Sequence, residues 1–112
     1  RDWLVYGLKK NDLIRPIAQG LGLSVRQLAI KWLASQPGVV SIEPNIVSEA
    51  DLDEYASACD GSVLPAEVLD ELAKLYEDDF GLGDAAHPCD IKSSTAEGGS
   101  LRSGYVHPGT VV

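Results

Sequence analysis

The residues best suited to chemistry lie between Val39 and Gly61. A β-branched run stops at Pro44, a loop follows, and a helix begins near Ser48. A strand that leads through a loop to a helix N-terminus gathers backbone N–H groups that favour phosphate. Ser48 is a good N-cap, and Glu49 and Asp51 occupy the first turn, where the helix dipole favours acidic side chains. The same stretch holds the one convincing strand, Val39–Ile42. A lone strand leaves backbone groups unpaired, so its partners must come from elsewhere or the segment is not a strand.

Other candidates carry less. His87, Cys89 and His107 have the side chains of metal ligands, but their spacing fits no standard zinc pattern and their proline neighbours suggest turns. No metal site is expected. Cys59 and Cys89 show no CxxC spacing and read as reduced thiols of a cytoplasmic protein, with a Cys59–Cys89 bridge as the alternative. Gly20-Leu21-Gly22-Leu23-Ser24 lacks a third glycine and a preceding strand, so it reads as a turn rather than a dinucleotide fingerprint. Leu13 to Leu33 has the outline of a helix-turn-helix, with Arg26 and Lys31 as phosphate contacts. That outline defines the alternative reading, a small DNA- or protein-interaction module.

Charge weighs against nucleic acid. The chain has 112 residues and a net charge of −8. Residues 1–42 carry +4, residues 43–79 carry −11 and residues 80–112 carry −1. The acidic block repels nucleic acid and anionic lipid, and its plainest role is to form solvated helix faces. No run approaches the ~18 apolar residues of a membrane span. The sequence contains no methionine and opens on Arg1, which reads as a processed or cut chain.

Three helices position the central segment. Lys9 to Leu21 places Leu13, Ile14, Ile17 and Leu21 on one face, with Asn11 as the expected cap and Pro16 in the first turns. Ser24 to Gln36 opens on a capping box, Ser24 with Gln27, and aligns Val25, Leu28, Ala29, Trp32 and Leu33 toward a core. Pro37-Gly38 ends it. The helix from Ser48 is expected to bury Leu52, Tyr55, Ala56 and Cys59. A further strong helix, with Pro65 at its first position, runs to about Tyr76 and presents Val68, Leu69, Leu72, Ala73 and Tyr76. Phe80-Gly81-Leu82 marks the end of packing. The tail beyond it, with scattered Ile91, Leu101, Tyr105 and Val106, reads as irregular or disordered. A helix, a Pro-Gly turn and a buried strand in that order form an αβ unit, which implies a parallel sheet.

The order of these segments resembles the C-terminal end of an aldo/keto reductase. The resemblance is carried by Ile17-Ala18-Gln19-Gly20-Leu21-Gly22-Leu23-Ser24, Gln27-Leu28-Ala29 and Trp32-Leu33-Ala34-Ser35-Gln36-Pro37-Gly38-Val39. It continues through Ile42-Glu43-Pro44-Asn45 and Leu52-Asp53-Glu54-Tyr55-Ala56. It implies an α/β fold, the C-terminal fragment of a (β/α)8 TIM barrel. Residues 1–82 would supply the last helices and strand eight, mostly helical with one strand as they stand. Residues 83–112 would form a C-terminal extension that can shape a substrate pocket through Leu101, Tyr105 and His107. The parent activity would be an oxidoreductase, transferring hydride between a nicotinamide dinucleotide and an aldehyde, ketone, alcohol or sugar.

The resemblance also implies where the cofactor lies. The family's Asp, Tyr, Lys and His catalytic set belongs to the first half of the barrel. None of Tyr6, Tyr55, Tyr76 or Tyr105 stands in its tyrosine's context, so no catalytic residue is assigned and this chain alone is expected to be inactive. The adenosine end would involve Pro44, Asn45, Ile46, Ser48, Asp51, Glu54 and Tyr55. Pro44 and Glu54 match the family pattern. Asn45 stands where Gly or Lys is usual, Ile46 where Ser is frequent, Asp51 where a phosphate-binding Arg is common and Tyr55 where Asn is usual. The family suggests NADP(H). Asp51 would repel a 2′-phosphate yet accept hydrogen bonds from a free ribose, which tilts the site toward NAD(H). Helices made to lie against a barrel should be adhesive without it, so self-association of the isolated chain is expected.

Overall fold

The computed structural model describes residues 2–83. Four helices appear in order: α1 (Asp2–Gly20), α2 (Val25–Ala34), α3 (Glu49–Ser57) and α4 (Ala66–Glu77), followed by a single 3-10 turn, Asp79–Gly81. The tail expectations, including His87, Cys89, His107 and the disulfide alternative, lie outside the described residues.

Local chemistry explains most of these boundaries. α1 closes with a Schellman motif. The Leu23 N–H donates to the Ala18 carbonyl at 2.9 Å and the Gly22 N–H to the Gln19 carbonyl at 3.0 Å. Gly22 has φ +67°, a conformation that side chains disfavour. This tight reversal brings Ser24 directly to the start of α2. The Ser24–Gln27 capping box is present in both directions. At the other end of α2, the Val39 N–H donates to the Gln36 carbonyl at 3.3 Å and Gly38 has φ +85°. Pro37 then Gly38 is the pairing a type II turn requires.

α1 departs from expectation. It begins at Asp2 rather than near Asn11, and Pro16 lies inside it. A helix can run through proline when only one intrahelical bond is lost and neighbouring packing compensates. Here Ile14, Ile17 and Ala18 pack on the core around that point. Asn11 is therefore a mid-helix residue and caps nothing.

The core is small and joins three helices with one loop residue. Ala18 of α1, Leu28 of α2, Leu64 of the loop before α4 and Val68 of α4 are buried together. Leu23, Val25, Leu69 and Leu72 close around them. Pro65 precedes α4 as its N-cap and is not its first helical residue. The apolar stripe expected on α2 is rotated. Leu28 is buried, but Ala29 and Trp32 are exposed, while Ile30 and Lys31 are buried. α3 also departs from its expected stripe: Leu52, Ala56 and Cys59 are exposed and Tyr55 is half-buried, whereas Ala58 is buried. Its contact with α2 is polar, and apolar periodicity cannot read a polar contact.

Lys31 shows what drives the rotation of α2. Its side chain is 6% exposed and ends on Asp60. The ammonium donates to Asp60 Oδ1 at 2.6 Å, Ser62 Oγ at 2.7 Å and the Ser62 carbonyl at 3.3 Å. Three donors thus meet three acceptors, which a buried ammonium needs. The loop that receives it carries Leu64 into the core. Hydrogen bonds from Lys31 and from the Ser62 hydroxyl and N–H hold the Asp60 carboxyl well below the usual carboxylate range.

The expected strand is not formed. No β-pairing occurs among the described residues, and Val39–Ile42 has no regular structure. Val40 is 98% exposed and Val47 91% exposed. A strand exists only through a neighbour that completes its ladder, and residues 2–83 supply no neighbour.

Leu28→Ala is expected to lower unfolding free energy by about 2–5 kcal/mol, read by chemical denaturation, because the side chain is fully buried. Asp60 adds a pH dependence. Its folded-state value lies below the ordinary 3.8, so its stabilisation is complete above that value and is lost as pH falls below it. The thermal midpoint should therefore drop on acidification below the ordinary carboxylate range, and Asp60→Asn should flatten that drop. The exposed apolar side chains of 39–47, with Trp32 and Leu52, should bind a hydrophobic dye. A chain that stays monomeric and binds no dye contradicts this.

Candidate functional site

The site grows from the N-terminus of α2. Ser24 Oγ accepts from the Gln27 N–H at 3.1 Å and donates to Glu54 Oε1 of α3 at 2.5 Å. Gln27 Nε2 donates to Ser57 Oγ at 2.8 Å and to the Glu54 carbonyl at 3.3 Å. One residue pair therefore caps α2 and fastens α3 to it. Arg26 lies between Ser24 and Gln27 and points across the same gap. Its Nη1 donates to Asp51 Oδ1 at 2.7 Å and to Glu54 Oε2 at 3.2 Å. The guanidinium also stands 5.9 Å from the centre of the Tyr55 ring, within range of a cation–π contact.

α3 presents its own cap on the same side. Ser48 Oγ accepts from the Asp51 N–H at 3.1 Å, and Asp51 Oδ2 accepts from the Val47 N–H at 3.3 Å. Asp51 thus ties the end of the loop to the first turn of α3 while facing Arg26. The hydrogen bond from Arg26, then those from Ser48 and the Val47 N–H, hold the Asp51 carboxyl below its ordinary value. The same Asp51 contact, followed by the charge interactions with the Tyr55 phenol and with Glu54, raises the Arg26 guanidinium further. Both groups are charged at neutral pH.

A shallow cleft of about 260 Å³ adjoins this cluster, lined by Arg15, Gln19, Leu23, Ser24, Arg26 and Glu54 among others. Of the residues expected at the adenosine end, Ser48, Asp51, Glu54 and Tyr55 fall in one cluster. Pro44, Asn45 and Ile46 lie in the irregular loop before it, with Asn45 and Ile46 exposed. Sequence reasoning gave Arg26 a role only in the helix-turn-helix alternative, as a phosphate contact, and missed its partnership with α3. Opposite charge at 26 and at 51 and 54 is the only signal, and it carries no distance information. No group of three or more potential metal ligands occurs among the described residues.

The chain belongs to the aldo/keto reductase family, whose model matches residues 3–77. The family is one of oxidoreductases that generally bind NAD(P)H on a TIM barrel, and an all-helical piece without strands among the described residues is consistent with a fragment of that fold. Two curated relatives are described as probable voltage-gated potassium channel beta subunits. The one from Oryza sativa subsp. japonica is 39% identical over 71 residues, covering 62% of this chain and 22% of its own length. The one from Arabidopsis thaliana is 35% identical over 71 residues, with the same coverage of each chain. This chain therefore spans under a quarter of the length of the relatives it matches. No solved structure matches it. Among the described residues no helix is long and apolar enough to cross a membrane.

Proposed function

We propose that this chain supplies the adenosine end of the dinucleotide site of an NAD(P)-dependent aldo/keto reductase. In this reading, α2 and α3 are helices seven and eight of the barrel and residues 39–42 take the place of strand eight. Residues 1–82 would form that barrel portion and 83–112 its extension. The observation that carries the reading is the cluster of Ser48, Asp51, Glu54 and Tyr55 at the start of α3, directly after an unpaired segment. The unpaired Val39–Ile42 has the composition of a strand buried on both faces, and barrel neighbours would give it the ladder it lacks.

Each residue would have a physical task. The first N–H groups of α3 have no helical acceptors and attract the phosphate side of the nucleotide. Ser48 already satisfies one of them and fixes the direction of the rest. Tyr55 offers an apolar face beside Arg26. Pro44, Asn45 and Ile46 would form the loop that lies along the ribose. The dinucleotide, once bound, supplies hydride for a carbonyl or accepts it from an alcohol. The acid that protonates the carbonyl oxygen would come from the part of the barrel that carries the family's catalytic set. NADP(H) is the family's usual cofactor, and Asp51 makes NAD(H) the competing choice.

The helix-turn-helix alternative needs Arg26 and Lys31 to meet phosphates, yet both are turned to carboxylates. The channel-subunit role named for the relatives is a property of those proteins; the residues argued here concern the dinucleotide.

Titrating the full-length protein with NADH and NADPH, read by nicotinamide fluorescence, tests the reading. Saturable binding of at least one dinucleotide is expected, weakened by Tyr55→Ala. Absence of binding to both would falsify it.

A further inference from the structure

We propose that Asp60–Gly61, in the loop between α3 and α4, is a site of backbone isomerisation that Lys31 and Ser62 hold in check. It is the one Asp–Gly pair in the chain. The chemistry needs only these two neighbours and water. The Gly61 backbone nitrogen attacks Asp60 Cγ and a C–N bond forms. One carboxyl oxygen leaves as water, taking the amide hydrogen and the carboxyl proton. The product is a five-membered succinimide. Water then reopens the ring: addition at one carbonyl restores aspartate, and addition at the other carries the main chain through the side chain as isoaspartate. A following glycine favours the reaction, because it has no side chain to hinder closure and the least restricted backbone. Asp60 and Gly61 are both exposed and lie outside any helix. A side chain at 61 would meet no neighbouring packing within 4 Å, and Gly61 has φ +80°.

The restraint acts on the carboxylate. Asp60 Oδ1 accepts from Lys31 Nζ at 2.6 Å, from the Ser62 hydroxyl at 2.7 Å and from the Ser62 N–H at 2.9 Å. Ring closure requires the carboxyl group to turn onto the Gly61 nitrogen and to be protonated, so that an oxygen can leave as water. Donors gathered on one oxygen oppose both steps. They fix the direction of the side chain, and they favour its ionised form, Lys31 foremost. Lys31 cannot let go cheaply. Its side chain is 6% exposed, and releasing Asp60 would deprive a buried ammonium of its anionic partner. Isomerisation would also reach the core. It adds a methylene to the main chain four residues before Leu64, which is buried with Ala18, Leu28 and Val68.

The test is incubation of the full-length protein in warm neutral buffer, with isoaspartate at position 60 counted by peptide mapping and fragmentation mass spectrometry. A synthetic peptide of residues 56–66 gives the unrestrained rate. Wild type should isomerise about tenfold more slowly than the peptide, the factor that ~1.4 kcal/mol of barrier supplies. Lys31→Met and Ser62→Ala each remove donors from Asp60 and should isomerise several-fold faster than wild type. Leu72→Ala loosens packing on the core and leaves those donors in place, so it should keep the wild-type rate. Circular dichroism checks that each variant is folded, and Ser62→Ala, at an exposed position, carries the comparison where Lys31→Met does not fold. Wild type as fast as the peptide overturns the proposal, as does a folded Ser62→Ala no faster than wild type. Equal acceleration in Leu72→Ala overturns it too, because the rate would then follow general unfolding rather than the hold on Asp60.

Discussion

The fold turns on the capping box at the start of α2. A cap ordinarily satisfies donors within its own helix. Here the same two side chains continue outward. Ser24 donates to Glu54 and Gln27 donates to Ser57, so ending one helix correctly also seats the next. Because the contact is made of oriented polar groups rather than apolar surface, it sets the rotation of α3 as well as its distance. That rotation brings Asp51, Glu54 and Tyr55 round to Arg26. Were α3 held by an apolar stripe instead, Leu52 and Ala56 would turn inward and the acids would face solvent.

The apolar core complements this contact without replacing it. Ala18, Leu28, Leu64 and Val68 gather α1, α2 and α4, and α3 contributes no residue to that group. The loop between α3 and α4 reaches the core through Leu64, and Lys31 steadies that loop by holding Asp60 and Ser62. α3 and the loop after it are thus fastened to α2 at two polar points, one at each end. Between α2 and α3 the segment 39–47 is held at its two ends, by the Val39 N–H on the Gln36 carbonyl and the Val47 N–H on Asp51, and contributes nothing to the buried core, with Val40 and Val47 standing in solvent.

What the sequence made legible follows the range of each interaction. The Ser24–Gln27 box, the Ser48 cap and the Pro37-Gly38 turn all act within four residues, and each stands where expected. The core residues Leu28 and Val68 were legible from helical period. Other features were not, the rotation of α2 about Lys31 among them. The start of α1 was hidden because Arg1–Gly7 has no apolar period and Pro16 argues for a boundary it does not make. The buried side of α3 was misplaced because its neighbour is polar. The strand at 39–42 requires a partner strand, and composition alone cannot create one. Family resemblance was legible from the order of short segments and agrees with the family match over residues 3–77.

The division of charge along the chain acquires a meaning in space. Residues 1–42 are basic overall and residues 43–79 strongly acidic. Read as composition, the acidic block is solvated helix surface, and Asp53, Glu67, Asp70 and Glu71 are indeed exposed. Yet Arg26 and Lys31, two bases of the first block, each close on acids of the second: Arg26 on Asp51 and Glu54, Lys31 on Asp60. The pairing is selective rather than diffuse, because a serine hydroxyl donates to one acid of each pair, Ser24 to Glu54 and Ser62 to Asp60, while Ser48 accepts from the Asp51 N–H. Exposed ion pairs alone hold two helices weakly. Ion pairs locked by a hydroxyl, beside a buried ammonium and a helix cap, can fix orientation. The acids at 51 and 54 therefore serve the architecture first, and any ligand that reaches the start of α3 meets charges whose positions are already set.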